Sequence, residues 1–275
     1  MSAVGPIIAL LTDFGQKDYF VASMKGVILN INPGVYIVDI THEARSYDIF
    51  EAGFMLYACC GFFPRGTIFV SVVDPGVGSS RRILMAGTTG HYFIAPDNGL
   101  LSMVLNKEKY TFLKEVQNPK YFLSNISKTF EARDKMAPAA AWLSLGRSPD
   151  EFGPEVTDHI SLDIPKPQVE EDRINGAVLY KDKFGNLITN IEVSLFEDLA
   201  EQAGGHEKVL MQIKERKINW SDRYSNRRIG EEMFLAGSLG LIEIAVREGS
   251  AAEKLKIEPG ESVTIRIQEN KKKAH

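Results

Sequence analysis

Ile7–Leu11 is an unbroken apolar run that stops abruptly at Thr12-Asp13-Phe14-Gly15. Such a run reads as a strand buried on both faces, and the polar break as the loop it feeds. Phe20–Ile31 has helical spacing and ends at the stop signal Asn32-Pro33-Gly34. Val35–Ile40 predicts a second strand, Ile49–Cys60 a helix, and Thr67–Val73 a third strand closing in Asp74-Pro75-Gly76. This alternation predicts an α/β unit with a mostly parallel sheet and covering helices. Ile83–Gly87 and Tyr92–Ala95 read as a hairpin around Gly90, Gly99–Asn106 as a short helix, and Ala137–Leu145 as a helix entered through Pro138.

The pattern then changes. Two prolines and a run of acids mark residues 164–173 as a linker. Beyond it, Gly176–Tyr180, Leu187–Ile191, Val209–Ile213, Gly240–Val246 and Ser262–Ile267 are short runs between turn residues. They predict a small all-β barrel over 174–275, after an α/β domain over 1–163.

A chain of 275 residues with 44% hydrophobic residues has room for two such cores. The formal net charge of −4 argues against a nucleic-acid binder. The basic cluster Lys271–Lys273 reads as a solvated tail. Cys59 and Cys60 are adjacent, so they suit neither a framework disulfide nor a zinc site, and a reducing, cytoplasmic setting fits. The first residues lack the basic region of a signal peptide, and no apolar stretch reaches membrane-spanning length.

Ligands of open α/β sheets sit at the carboxyl ends of strands. Asp13 is there, either to accept hydrogen bonds from a ribose diol or to cap the next helix. Asp74–Arg82 holds an acid, two glycines and a guanidinium, which suit either a ligand loop or a turn closed by a surface Asp–Arg pair. Its leading acid and its lack of a GxxxxGK[ST] pattern set it apart from a phosphate cradle. Glu131, Arg133 and Asp134 crowd a small-residue helix start, with Asp134 as ligand contact or cap. Phe184 and Asn186 stand at a strand start, and Ser238 lies in a small-residue turn before Val246 and Gly249–Ala252. Each of these is also compatible with an ordinary turn.

In series the segments are more specific. LLTDFG at Leu10–Gly15, DITHE at Asp39–Glu43, DPGVGSSRR at Asp74–Arg82, APDNGLL at Ala95–Leu101, TFEARDKMAPAAA at Thr129–Ala141, KFGNLITNI at Lys183–Ile191 and GSLGLIEIAV at Gly237–Val246 together resemble the S-adenosyl-L-methionine hydroxide adenosyltransferases, which are similar to fluorinases and chlorinases. The resemblance implies an N-terminal α/β domain, a C-terminal β-barrel and a homotrimer with sites between neighbouring subunits. It implies cleavage of S-adenosyl-L-methionine by water to adenosine and L-methionine, with no metal and no cofactor. Asp13 would bind the ribose, and Asp74 and Arg81 match two members of an Asp–Arg–His catalytic set. Phe184 and Asn186 would lie near nucleoside and methionine, Ser238 at the methionine carboxylate, and Val246–Ala252 at the adenine. The family's histidine most often stands where this chain has Glu131, and none of the five histidines falls in that motif. Either Glu131 takes over part of the role, or the histidine is dispensable, or the protein is slow or acts on another substrate.

The implied reaction suits these residues. A sulfonium leaves as a neutral thioether, so the site's task is to hold an oxygen nucleophile in line with the C5′–S bond. Asp74 would hold or partly deprotonate the water, Arg81 would orient Asp74, and Glu131 would anchor the water or sustain Arg81 or Arg133. In fluorinase-like relatives the position of Asp74 resembles a tyrosine; a carboxylate there should repel a halide. The alternative expectation is a non-catalytic adenosine or S-adenosyl-L-methionine sensor.

Overall fold

The apolar run that opens the chain forms β1 (Ile7–Thr12), whose residues from Ile8 onward are buried. The computed structural model describes residues 5–268 and divides the chain into two compact units, 1–163 and 164–275. The Lys271–Lys273 cluster lies outside the described residues.

In the first unit β1 is followed by α1 (Phe20–Ile31), β2 (Tyr36–Thr41), α2 (Ile49–Cys60), β3 (Ile68–Val72), β4 (Ile83–Gly87) and β5 (Tyr92–Pro96). Then come α3 (Ser102–Lys107), β6 (Phe112–Glu115) and α4 (Ala137–Ser144). The strands lie in the order β2-β1-β3-β5-β4-β6. Along β1 the side chains alternate between two cores, which is why the run is apolar without a break. Ile8 and Leu10 join Met24 and Ile28 of α1 and the alanines of α4. Ala9 and Leu11 join Ala52 and Leu56 of α2 and Val104 of α3.

The sheet is mixed, which corrects the expectation of a mostly parallel one. β2, β1, β3 and β5 pair in parallel, but β4 is antiparallel to both β5 and β6. Four residues around Gly90 are too few for a crossover helix, so β4 and β5 close as a hairpin. Both cysteines are free, and burial, with Cys60 alongside, pushes the Cys59 thiol up to about 11.

The second unit comprises β7 (Gln168–Val169), β8 (Arg173–Lys181), β9 (Leu187–Glu192), α5 (Val193–Ala203), β10 (Val209–Ile213) and β11 (Arg216–Asn219). β12 (Glu232–Ala236), β13 (Leu241–Val246), α6 (Ala251–Leu255) and β14 (Ser262–Ile267) complete it. The antiparallel path β11-β10-β14-β8-β9-β13-β12 is nearly closed by a bridge from Trp220, just past β11, to Phe234 of β12. The unit is not all-β. α5 buries Phe196, Leu199 and Ala200, a helical spacing present in the sequence, and ends at Gly204 with φ 80°. Among the described residues no helix is long and apolar enough to cross a membrane.

Candidate active site

Asp13 follows β1 directly and does not cap α1. That helix starts at Phe20 behind Tyr19, with no side-chain cap. Asp13 Oδ2 instead accepts the backbone N–H of Tyr47 at 3.0 Å. Tyr47 has φ 68°, a left-handed conformation unusual for an aromatic residue and a mark of a constrained loop. Beneath Asp13, the fully buried Thr12 accepts the N–H of Phe14 at 3.2 Å and lies 2.8 Å from His42 Nδ1. His42 Nε2 is 3.0 Å from Asp39 Oδ1, and Lys25 donates to Asp39 Oδ2 at 2.6 Å. Burial raises the Asp39 pKa, but Lys25 and His42 outweigh it and hold that carboxyl below its usual value.

Asp74 lies two residues past β3 and receives Arg81 across the intervening loop. Arg81 Nε donates to Asp74 Oδ1 at 3.0 Å and to Oδ2 at 2.9 Å, while Nη2 reaches both Asp74 and Glu131. The side chains of Arg81, Asp74 and Glu131 are 9%, 6% and 8% exposed, so this is a buried cluster and not a surface pair. Gly78, at φ 78°, directs its N–H at Glu131 Oε2 from 3.5 Å. Arg82 is committed elsewhere, to Asp97 at 2.8 Å and Asp158 at 2.6 Å.

Glu131 stands immediately before a π-helical turn, Ala132–Met136, which leads into α4. Turns of this kind recur at functional sites because they break the regular face of a helix. Lys135 donates to Glu131 Oε1. Burial raises the Glu131 pKa, but the Lys135 hydrogen bond, the charges of Arg81 and Lys135 and the Gly78 N–H leave it below the ordinary carboxylate value. Glu131 therefore sustains Arg81 and not Arg133, whose guanidinium is held by Asp134 at 2.6 and 3.0 Å. Asp134 does not cap α4: fully buried, it accepts the Ser127 N–H at 2.7 Å and pins the preceding loop.

Asp13, Asp74 and Glu131 open onto one cleft of about 310 Å³. Phe14, Phe20 and Phe130 form its apolar wall, with ring centroids 5.2–5.9 Å apart. Neither Arg81 nor Lys135 is among the residues that line it. The cavity thus presents three carboxylates and an aromatic wall, a surface suited to a cation carrying a flat or apolar part. Ser46 and Tyr47, which line it, escaped the sequence reading, and Phe130 and Lys135 lay inside the Thr129–Ala141 motif without a role assigned to them. Only Phe130 carries a local hint, as the neighbour of Glu131.

In the second unit Phe184 is 75% exposed and helps line a separate cleft of about 290 Å³ with Asp182, Gly185, Ser250 and Ala252. Asp182 organises that turn. Its Oδ1 accepts the N–H groups of Phe184 and Asn186 at 2.9 and 2.8 Å, and its Oδ2 accepts Asn186 Nδ2 at 2.9 Å. Ser238 is exposed in the Gly237–Gly240 turn between β12 and β13. Val246 is 6% exposed and packs in the barrel core. Ser238 and Val246 line neither of these two clefts. Among the described residues no group of three or more His, Cys, Asp or Glu is placed to hold a metal ion.

Residues 8–153 match the SAM hydroxide adenosyltransferase N-terminal domain, and residues 176–264 match the C-terminal domain. An (R)-S-adenosyl-L-methionine hydrolase of Thermus thermophilus is 34% identical over 94% of this chain and 98% of its own length. A fluorinase of an Actinoplanes species is 28% identical over 94% of this chain and 97% of its own. The crystal structure of an uncharacterized conserved protein from Thermotoga maritima superposes with a TM-score of 0.89 at 35% identity, covering 94% of this chain and 99% of that one.

Proposed function

Because the chain belongs to the SAM hydroxide adenosyltransferase family, we propose that its carboxylate-lined cleft carries out hydrolysis of S-adenosyl-L-methionine to adenosine and L-methionine. The observation that carries this reading is the buried Asp74–Arg81–Glu131 cluster opening on the same cleft as Asp13.

The chemistry follows from charge and position. Water attacks C5′, the C5′–S bond breaks with its electron pair going to sulfur, and methionine leaves as a neutral thioether. The attacking water loses one proton. Asp74 Oδ2 accepts from both Nε and Nη2 of Arg81, whereas Oδ1 accepts only from Nε and keeps a second acceptor site. It can therefore hold the water and accept its proton as C5′–O bonding develops. Arg81 works through Asp74 and Glu131, fixing the first against rotation. Asp13 takes the ribose diol in this cleft. Arg81 and Lys135 balance Asp74 and Glu131, so the cleft keeps the negative charge of Asp13, which favours the cation over an anionic nucleophile.

No cofactor is required for this displacement. A homotrimer would cover Tyr47 and Phe184, which are 73% and 75% exposed in the single chain.

Purified protein incubated with S-adenosyl-L-methionine should release adenosine and methionine in equal amounts by chromatography, and Asp74→Asn should abolish both. Tight substrate binding by the wild type without turnover would replace this reading with that of a sensor.

A further inference from the structure

Glu131 brings a second buried negative charge to a site that already holds Asp74, and both carboxylates draw on the same Arg81 nitrogen. One guanidinium cannot balance two buried carboxylates, and an unbalanced buried charge is costly. The second cation is Lys135, four residues along the π-helical turn, whose ammonium donates to the Glu131 oxygen that Arg81 does not use. The same ammonium lies over the Phe122 ring, 5.7 Å from its centroid. Asp74, Arg81, Glu131 and Lys135 then sum to zero. A neutral histidine at position 131 would leave Asp74 and Arg81 already balanced, with no call for the lysine.

We infer that Lys135 is a positioning residue of the hydrolytic site, turning Glu131 so that its other oxygen grips Arg81 and thereby Asp74. It does not line the cleft, so it acts through Glu131 and not on the substrate. The inference rests on the reading of Asp74 as the water-holding carboxylate. Glu131 is faced by Arg81 and the Gly78 N–H from the loop after β3, by Asp74 through Arg81, and by Lys135 on its own turn; Asp13 shares the cleft. Removing Lys135 leaves burial less opposed, so Glu131 takes up a proton at higher pH and releases Arg81.

Five variants separate the possibilities: Asp74→Asn, Lys135→Met, Lys135→Arg, Glu131→His, and Lys135→Met combined with Glu131→His. Lys135→Met should lower kcat roughly three- to thirtyfold, the size expected for a charged hydrogen bond that is partly solvated. It should also move the acid limb of the kcat profile to higher pH, while Lys135→Arg restores most of the rate. In the Glu131→His background the same Lys135→Met change should cost much less, because the charge it balanced is gone. Equal losses in both backgrounds would make Lys135 a purely structural residue and overturn the inference. So would wild-type kinetics for Lys135→Met alongside an inactive Asp74→Asn. An active Asp74→Asn would instead remove the functional reading beneath it.

Discussion

The backbone N–H of Tyr47 donates to the Asp13 carboxylate at 3.0 Å, tying the end of β1 to the loop before α2. The bond uses one carboxylate oxygen and leaves the other with both acceptor sites for a ligand diol. It also explains the left-handed Tyr47 backbone, which turns that N–H inward.

Asp13→Ala should therefore raise KM for S-adenosyl-L-methionine about ten- to a hundredfold, as expected for hydrogen bonds to a charged group worth ~1.5–3 kcal/mol. The fall in kcat should be smaller, because the ribose contact is made in ground state and transition state alike. Steady-state kinetics distinguish the two parameters; an unchanged KM would take Asp13 out of the binding site.

Arg81→Met should inactivate the enzyme and also destabilise it. Asp74 and Glu131 would be left as two buried carboxylates facing a lost guanidinium. Breaking such a pair from one side costs about 3–5 kcal/mol, which denaturant unfolding would register.

The stability contribution of Glu131 has a defined pH window. Its folded-state pKa lies below the ordinary value of 4.5, so the ionised form is favoured in the folded protein. That contribution is fully present above 4.5 and is lost as pH falls through the lowered folded value. The stability difference between wild type and Glu131→Gln should shrink as thermal melts are taken from neutral pH to below 4.5. A gap that widened on acidification would contradict the sign.

Gly78→Ala should impair both folding and turnover. Gly78 sits at φ 78°, and a Cβ there would stand 2.3 Å from the Lys128 carbonyl oxygen, a backbone atom with little room to move. The left-handed conformation alone costs about 1–2 kcal/mol for an alanine, and relief of the clash would draw the Gly78 N–H away from Glu131. Melting temperature and kcat should fall together.

Halide should not replace water. With chloride or fluoride in large excess, adenosine formation should continue and no 5′-halogenated nucleoside should be found by mass spectrometry. The cleft carboxylates keep one net negative charge once Arg81 and Lys135 balance two of them, and this opposes an incoming anion. Appearance of the halogenated product would show that their charge does not govern the choice of nucleophile.

Asp13 and Asp74 were legible in the chain because their signals are local. Each follows an apolar run that can only be a strand buried on both faces, and strand ends of open sheets are where ligands bind. Five barrel strands were legible as short apolar runs, whereas β7, β11 and β12 were not, and α5 had a readable spacing that its surroundings of short strands obscured. Family motifs extending over nearly the whole chain then identified the reaction.

Tertiary structure alone decided the rest. Glu131 was expected to sustain Arg81 or Arg133, and only packing selects Arg81, 50 positions away; Asp13 meets Tyr47 across 34, and nothing in the local pattern marks that partner. The near-closure of the barrel by Trp220 on Phe234 depends on which edges remain open once the other strands have paired. Hydrophobic periodicity is set by neighbours in sequence, so the sequence reveals where buried elements begin and end. Sharing a guanidinium between two carboxylates, with Lys135 balancing the second, depends on which side chains packing forces into one dry volume.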